Sequence, residues 1–158
     1  MRSLLASLLL LALSVTAAPA AEPTASEGWK VQATSHSFPA LWERLQETVK
    51  ANKMGLVTTA SASVGAANQG FTIPGNRVVG VYRNDFARRM LEASIAAGIE
   101  APIRFYLTEN ADGTATLSYK TPSFVFAPYM AEGGEDLATL AAELDAIFAT
   151  IFAQTVAE

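Results

Sequence analysis

The chain has 158 residues, a formal net charge of −4 and no cysteine. Its acidic balance repels phosphate backbones and argues against a nucleic-acid partner. The lack of cysteine removes disulfides, thiol redox chemistry, Cys-ligated zinc, iron–sulfur clusters and covalent c-type haem attachment.

Residues 1–20 have the layout of a secretory signal peptide. Arg2 supplies the positive start, an apolar run extends from Leu4 to Val15, and the small residues around Ala18 and Ala20 offer a cleavage site. The run is shorter than the roughly 20 apolar residues a bilayer span requires. A removable signal is therefore expected, cut after Ala20 with Ala21 as the alternative. It leaves no stable membrane anchor, and the expected location is the periplasm. Taking 20 residues from 158 leaves 138, enough for one hydrophobic core, and the loss of Arg2 brings the net charge to −5.

Residues 21–28 read as a short flexible leader and residues 29–158 as a single domain. Trp29, Val31 and Ala33 alternate with Lys30, Gln32 and Thr34, which predicts a half-buried strand. Ser37 and Pro39 signal a helix start. Leu41, Leu45 and Val49 then recur at spacing four, with charged residues on the other faces, so an amphipathic helix is predicted to about Asn52. Residues 55–64 read as a strand, 65–76 as a loop with three Gly and one Pro, and 77–83 as a β-branched strand. Asn84 is the expected cap of a second helix with Phe86, Met90, Ala93 and Ala97 inward and Gly98 as its stop.

Ile103, Phe105 and Leu107 alternate with Arg104, Tyr106 and Thr108, and Ala115, Leu117 and Tyr119 continue the alternation beyond an Asn110–Gly113 turn. This predicts a hairpin. The apolar segment Phe124–Met130 is expected outside regular structure. A final helix from Glu135 carries a stripe of Leu137, Leu140, Leu144, Ile147, Phe148, Ile151 and Phe152. The predicted class is α+β, a mostly antiparallel sheet with helices packed on one face, in the order β-α-β-β-α-β-β-α.

His36 is the sole histidine. A catalytic role for it requires a nucleophile or carboxylate beside it in space, and the chain has no G-x-S-x-G elbow. One His without Cys cannot supply a zinc hydrolase's ligands unaided, so no metal and no cofactor are expected. Glu109–Gly113 superficially resembles a calcium loop but lacks its repeated acids, and turn chemistry explains it.

Arg77, Arg83, Arg88 and Arg89 fall within 13 residues of an acidic chain. Arg83, Asn84 and Arg88 meet at a strand-to-helix junction, a natural anion site; the plainer reading pairs Arg88 with Glu92 and leaves the others solvated. Phe124, Phe126 and Tyr129 either pack over the core, line a pocket or form a dimer surface.

Arg77–Phe124, RVVGVYRNDFARRMLEASIAAGIEAPIRFYLTENADGTATLSYKTPSF, resembles the core of the domain of unknown function 302 family. The similarity lies in the strand and helix, the Ala101-Pro102 lead into a hydrophobic strand, the Gly-containing turn, and the strand ending near Tyr119 and Pro122. SHSFPALWERLQETVKANKMGL, residues 35–56, resembles the family's opening helix. The chain departs from the family at Tyr82–Asp85, where a Gly-Asn-Pro turn is common. The resemblance implies a fold like that of the TATA-binding-protein class, strand–helix–four strands–helix, often as a homodimer. It implies no established activity and no catalytic residues.

The expected function is non-enzymatic binding of a small molecule or protein partner, with Arg83, Asn84, Arg88, Tyr119, Phe124, Phe126 and Tyr129 as binding candidates. Catalytic residues are left unassigned. The alternatives are a periplasmic enzyme using His36 with Tyr119 and nearby Arg and carboxylates, and a structural or assembly module acting through Phe124–Met130.

Overall fold

A computed structural model describes residues 23–158; the expected signal peptide and its cleavage site lie outside them. The first strand, β1 (Trp29–Ser37), leads into helix α1 (Phe38–Ala51), where Ser37 accepts the Ala40 N–H and Pro39 occupies the first turn. Leu41, Leu45 and Val49 are buried, as their spacing predicts. The end of the leader is tied down: Gly28 C=O accepts the Thr121 N–H at 2.8 Å.

Strand β2 covers only Gly55–Ala60, shorter than the strand expected to residue 64. Ser61 accepts the Val64 N–H and starts a short helix, α2 (Ala62–Ala67), in which Ala62, Ala66 and Ala67 favour the helical state. The expected loop therefore begins helically. Strand β3 (Asn76–Tyr82) precedes helix α3 (Asn84–Ala93). The capping position falls on Arg83, one residue before the expected Asn84, and no side chain bonds there.

α3 also ends earlier than Gly98. Ser94 turns extended, and its hydroxyl accepts the Ala97 N–H at the start of a 3₁₀ turn, Ala96–Glu100. Gly98 lies inside that turn, where the Leu91 side chain leaves little room for a Cβ. Strands β4 (Ile103–Glu109) and β5 (Thr114–Lys120) form the expected hairpin, with Gly113 at φ +84.

The segment expected outside regular structure is helical. Pro122 opens α4 (Pro122–Phe126), and a 3₁₀ turn, Ala127–Tyr129, runs into α5 (Met130–Val156). The α5 backbone leaves helical geometry at Gly134 (φ 54, ψ −146) and resumes, so the uninterrupted part of the helix begins where Glu135 is expected.

All strand pairs are antiparallel, in the order β1-β5-β4-β3-β2. The α+β class and antiparallel sheet follow the sequence reading; α2 and α4 are additions to the expected element order.

One face of the sheet carries Val79, Val81, Phe105, Leu107, Leu117 and Tyr119 into a cluster with the buried faces of α1, α3 and α5. Phe105 stacks on Phe148 with centroids 5.0 Å apart and planes 8° from parallel, and Tyr119 leans on Phe148 and Phe152. Full burial of a side chain such as Phe105 or Phe148 contributes about 1.5–3 kcal/mol.

β1 departs from this scheme. Its register pairs Trp29 with Lys120, Val31 with Ser118 and Ala33 with Thr116. Directly opposed residues share a face, so Trp29, Val31 and Ala33 point away from the helical core. The core-side positions Lys30 and Gln32 are exposed.

Candidate functional site

The strand registers build the helix-free face as rows across the sheet. One row runs Val31, Ser118, Tyr106, Val78 and Ala60. The adjacent row runs Trp29, Lys120, Arg104, Gly80 and Thr58, with Arg104 set opposite Lys120 by extending the β4–β5 register one step. A third contains Ala33, Thr116, Thr108 and Asn76.

Parts of the first two rows, with Asn76 of the third, floor a groove of about 540 Å³. Trp29 and Tyr119 with Lys120 and Val125 border one side, and Ala60, Ala62 and Asn76 the other; Val78, Arg104 and Tyr106 lie between. Glu100 and Ile103 complete the wall. The volume suits a small organic ligand.

Two glycines shape this face. Gly80 lacks a side chain because Thr58 Oγ1 and the Pro102 ring occupy the space a Cβ would take. Gly28, at φ +71, lies directly against the Phe124 ring. Phe124 is 39% exposed. The Lys120 ammonium lies 5.2 Å from the Trp29 ring centroid and 5.9 Å from that of Phe124.

Asn76 fixes the far end. Its Oδ1 accepts the Ala62 N–H at 2.8 Å, while its own N–H donates to Ser63 Oγ. At the opposite wall Tyr129 donates to Glu100 Oε1 at 2.9 Å. That hydrogen bond to a carboxylate, with some burial, raises the Tyr129 phenol above its ordinary value. Burial raises Tyr119 as well, helped by the negative charge of Asp145.

The sequence-selected residues divide among several places. Tyr119 is one of the residues that line the groove, Phe124 lies outside the lining near the Lys120 ammonium, and Tyr129 is tied to it by its hydrogen bond to Glu100. Tyr119 and Phe126 are otherwise core residues, 3% and 1% exposed. Arg83 is engaged elsewhere: it forks onto Asp85 at 2.7 and 3.0 Å and covers the Phe86 ring at 4.3 Å. Asp85 thereby supplies the negative charge at the start of α3, and its carboxyl is held below the ordinary range by Arg83.

Asn84 and Arg88 are exposed. The expected Arg88–Glu92 pair does not form among the described residues; Arg89 instead forks onto Glu143 at 2.7 and 2.8 Å. Arg77 stands 4.3 Å over the Trp42 ring.

His36 Nε2 lies 2.7 Å from the Ala157 carbonyl. The Glu109–Gly113 turn is held by Asp112, which accepts from the Thr114 N–H and hydroxyl. Among the described residues no group of three His, Cys, Asp or Glu could hold a metal ion.

Sequence reasoning missed the centre of the groove: Trp29, Val78, Arg104, Tyr106 and Lys120. The available signal was the off-core register of the hairpin. Arg104 and Tyr106 alternate with the inward Ile103, Phe105 and Leu107, so they share the opposite face.

A family model described as "Domain of unknown function DUF302" matches residues 29–154. A solved structure described as an uncharacterized conserved protein DUF302 from Bacillus stearothermophilus is similar in fold, with a TM-score of 0.71 at 17% identity, covering 82% of this chain and 98% of that one. No curated protein matches the chain.

Proposed function

Since the chain belongs to the domain of unknown function DUF302 family, a family that brings no assigned chemistry with it, we propose from its own residues that it is an exported, non-enzymatic domain that binds a small molecule on the helix-free face of its sheet. The observation that carries this reading is the groove of about 540 Å³ floored by Val78 and Tyr106 and bordered by Trp29.

Its physical basis is a contrast between two faces of one sheet. The inner face buries aliphatic and aromatic side chains against three helices. On the outer face Val78 remains 37% exposed and Trp29 and Val31 are half-buried. Apolar surface arranged beside a few polar groups is the usual make-up of a ligand pocket. The sequence of residues 1–20 supports export. Among the described residues no helix is long and apolar enough to cross a membrane.

Native mass spectrometry of protein isolated from the periplasm tests the binding reading. The unaltered chain is expected to retain a small added mass, which Val78→Glu should abolish while leaving the far-ultraviolet dichroism intact. Absence of any added mass, or its persistence in Val78→Glu, would overturn the assignment to this face. Edman sequencing of the same material is expected to begin at Ala21; an intact Met1 would count against export with cleavage.

A further inference from the structure

Resting on the groove reading above, we infer that the ligand is an organic anion: a carboxylate or similar oxyanion, carried on an apolar body, which Arg104 and Lys120 hold together.

The inference starts from an unfavourable arrangement. Continued one step beyond Phe105 and Tyr119, the β4–β5 register sets Arg104 opposite Lys120, both on the helix-free face. Like charges in directly opposed positions destabilise a sheet. Opposite-charge pairs elsewhere in this protein relieve such costs: Arg83 has Asp85 and Arg89 has Glu143. Among the described residues neither Arg104 nor Lys120 forms an ion pair. The carboxylate in the groove wall, Glu100, accepts its hydrogen bond from Tyr129. The groove thus gathers two cations and one carboxylate in a chain whose net charge is −4.

Neighbouring side chains define the rest of the ligand. Trp29 lies beside Lys120, and the adjacent row offers Tyr106, Val78 and Ala60. An oxyanion over Arg104 and Lys120 therefore leaves its attached carbon skeleton above an aromatic and aliphatic floor. Arg104 can present a two-pronged N–H fork to the oxyanion, and Lys120 a mobile ammonium. A free inorganic anion would use the cations and leave the apolar floor exposed.

Two shape-matched probes separate this inference from the groove reading on which it rests: 2-naphthoate and its uncharged counterpart 2-naphthamide. Calorimetric titration of the full mature chain is expected to favour naphthoate by about tenfold, the scale of one charge-assisted contact partly exposed to water. In Arg104→Gln with Lys120→Gln, naphthoate affinity should fall to that of naphthamide, with naphthamide unchanged. Both positions are solvent-exposed, so the fold should survive, as dichroism will report. Equal binding of both probes, lost in Val78→Glu, would overturn the anion class while leaving the groove reading standing. Binding of neither probe would overturn both, and inorganic phosphate binding as tightly as naphthoate would overturn the apolar body.

Discussion

His36 Nε2 meets the carbonyl of Ala157 at 2.7 Å, joining the end of β1 to the residue that follows α5. Arg44 reinforces the same end, donating from Nε to Thr155 C=O at 2.8 Å and from its terminal nitrogen to Ala157 C=O at 2.7 Å. The final carbonyls of a helix lack partners within it, and a cation there also complements the helix dipole. Arg44→Ala is expected to cost about 1–3 kcal/mol, and His36→Ala about 0.5–1.5 kcal/mol, both read from urea midpoints at unchanged slope. An Arg44→Ala midpoint equal to that of the unaltered chain would remove this clamp from the account of stability.

Thr108 Oγ1 is a buried side-chain oxygen without a hydrogen-bond partner among the described residues. An unmade buried bond is costly, whereas an apolar group of the same shape can be neutral or favourable. Thr108→Val should therefore be neutral or raise stability by up to about 1 kcal/mol. A clear loss in thermal denaturation would mean that the hydroxyl has a partner in solution.

Gly80→Ala drives a methyl group against Thr58 Oγ1 and the Pro102 ring. Overpacking of this kind costs about 1–3 kcal/mol. The same substitution disturbs the row that contains Arg104, so ligand affinity should decline with stability. Unchanged stability would show that Pro102 yields easily.

Glu143 is held below its ordinary carboxylate pKa by the hydrogen bond and charge of Arg89. A depressed folded-state value means that the unfolded chain binds the proton more readily. The pair's contribution is therefore present at neutral pH and disappears as pH falls through the acidic range. Glu143→Gln should flatten the acid limb of the stability–pH curve and change little at higher pH beyond loss of an exposed pair. An identical acid limb in the variant would refute the coupling.

The elements of the helical core were legible because burial and periodicity coincide there: Leu41, Leu45 and Val49 on α1, and Phe105 and Leu107 on β4, have one environment to enter. α2 was hidden because it buries nothing, so no stripe marks it. The groove was obscured for a different reason. Alternation in β1 correctly groups Trp29, Val31 and Ala33, but alternation is the same whichever side of a sheet faces the core. Only pairing with Lys120, Ser118 and Thr116 assigns the group to the outer face. Arg83 illustrates the opposite error: its position before a helix suggested an anion site, while Asp85, two residues on, already occupies that role.

The division of the sheet into two faces also separates the chain's two tryptophans. Trp42 packs beneath Arg77 on the helical side, and Trp29 borders the groove. Replacing Trp42 with Phe would leave Trp29 as the single tryptophan, on the outer face and selectively excitable at the red edge of the absorption band. Its emission wavelength and accessibility to quenchers would then report on the groove directly, giving the protein an optical gauge of its proposed binding surface.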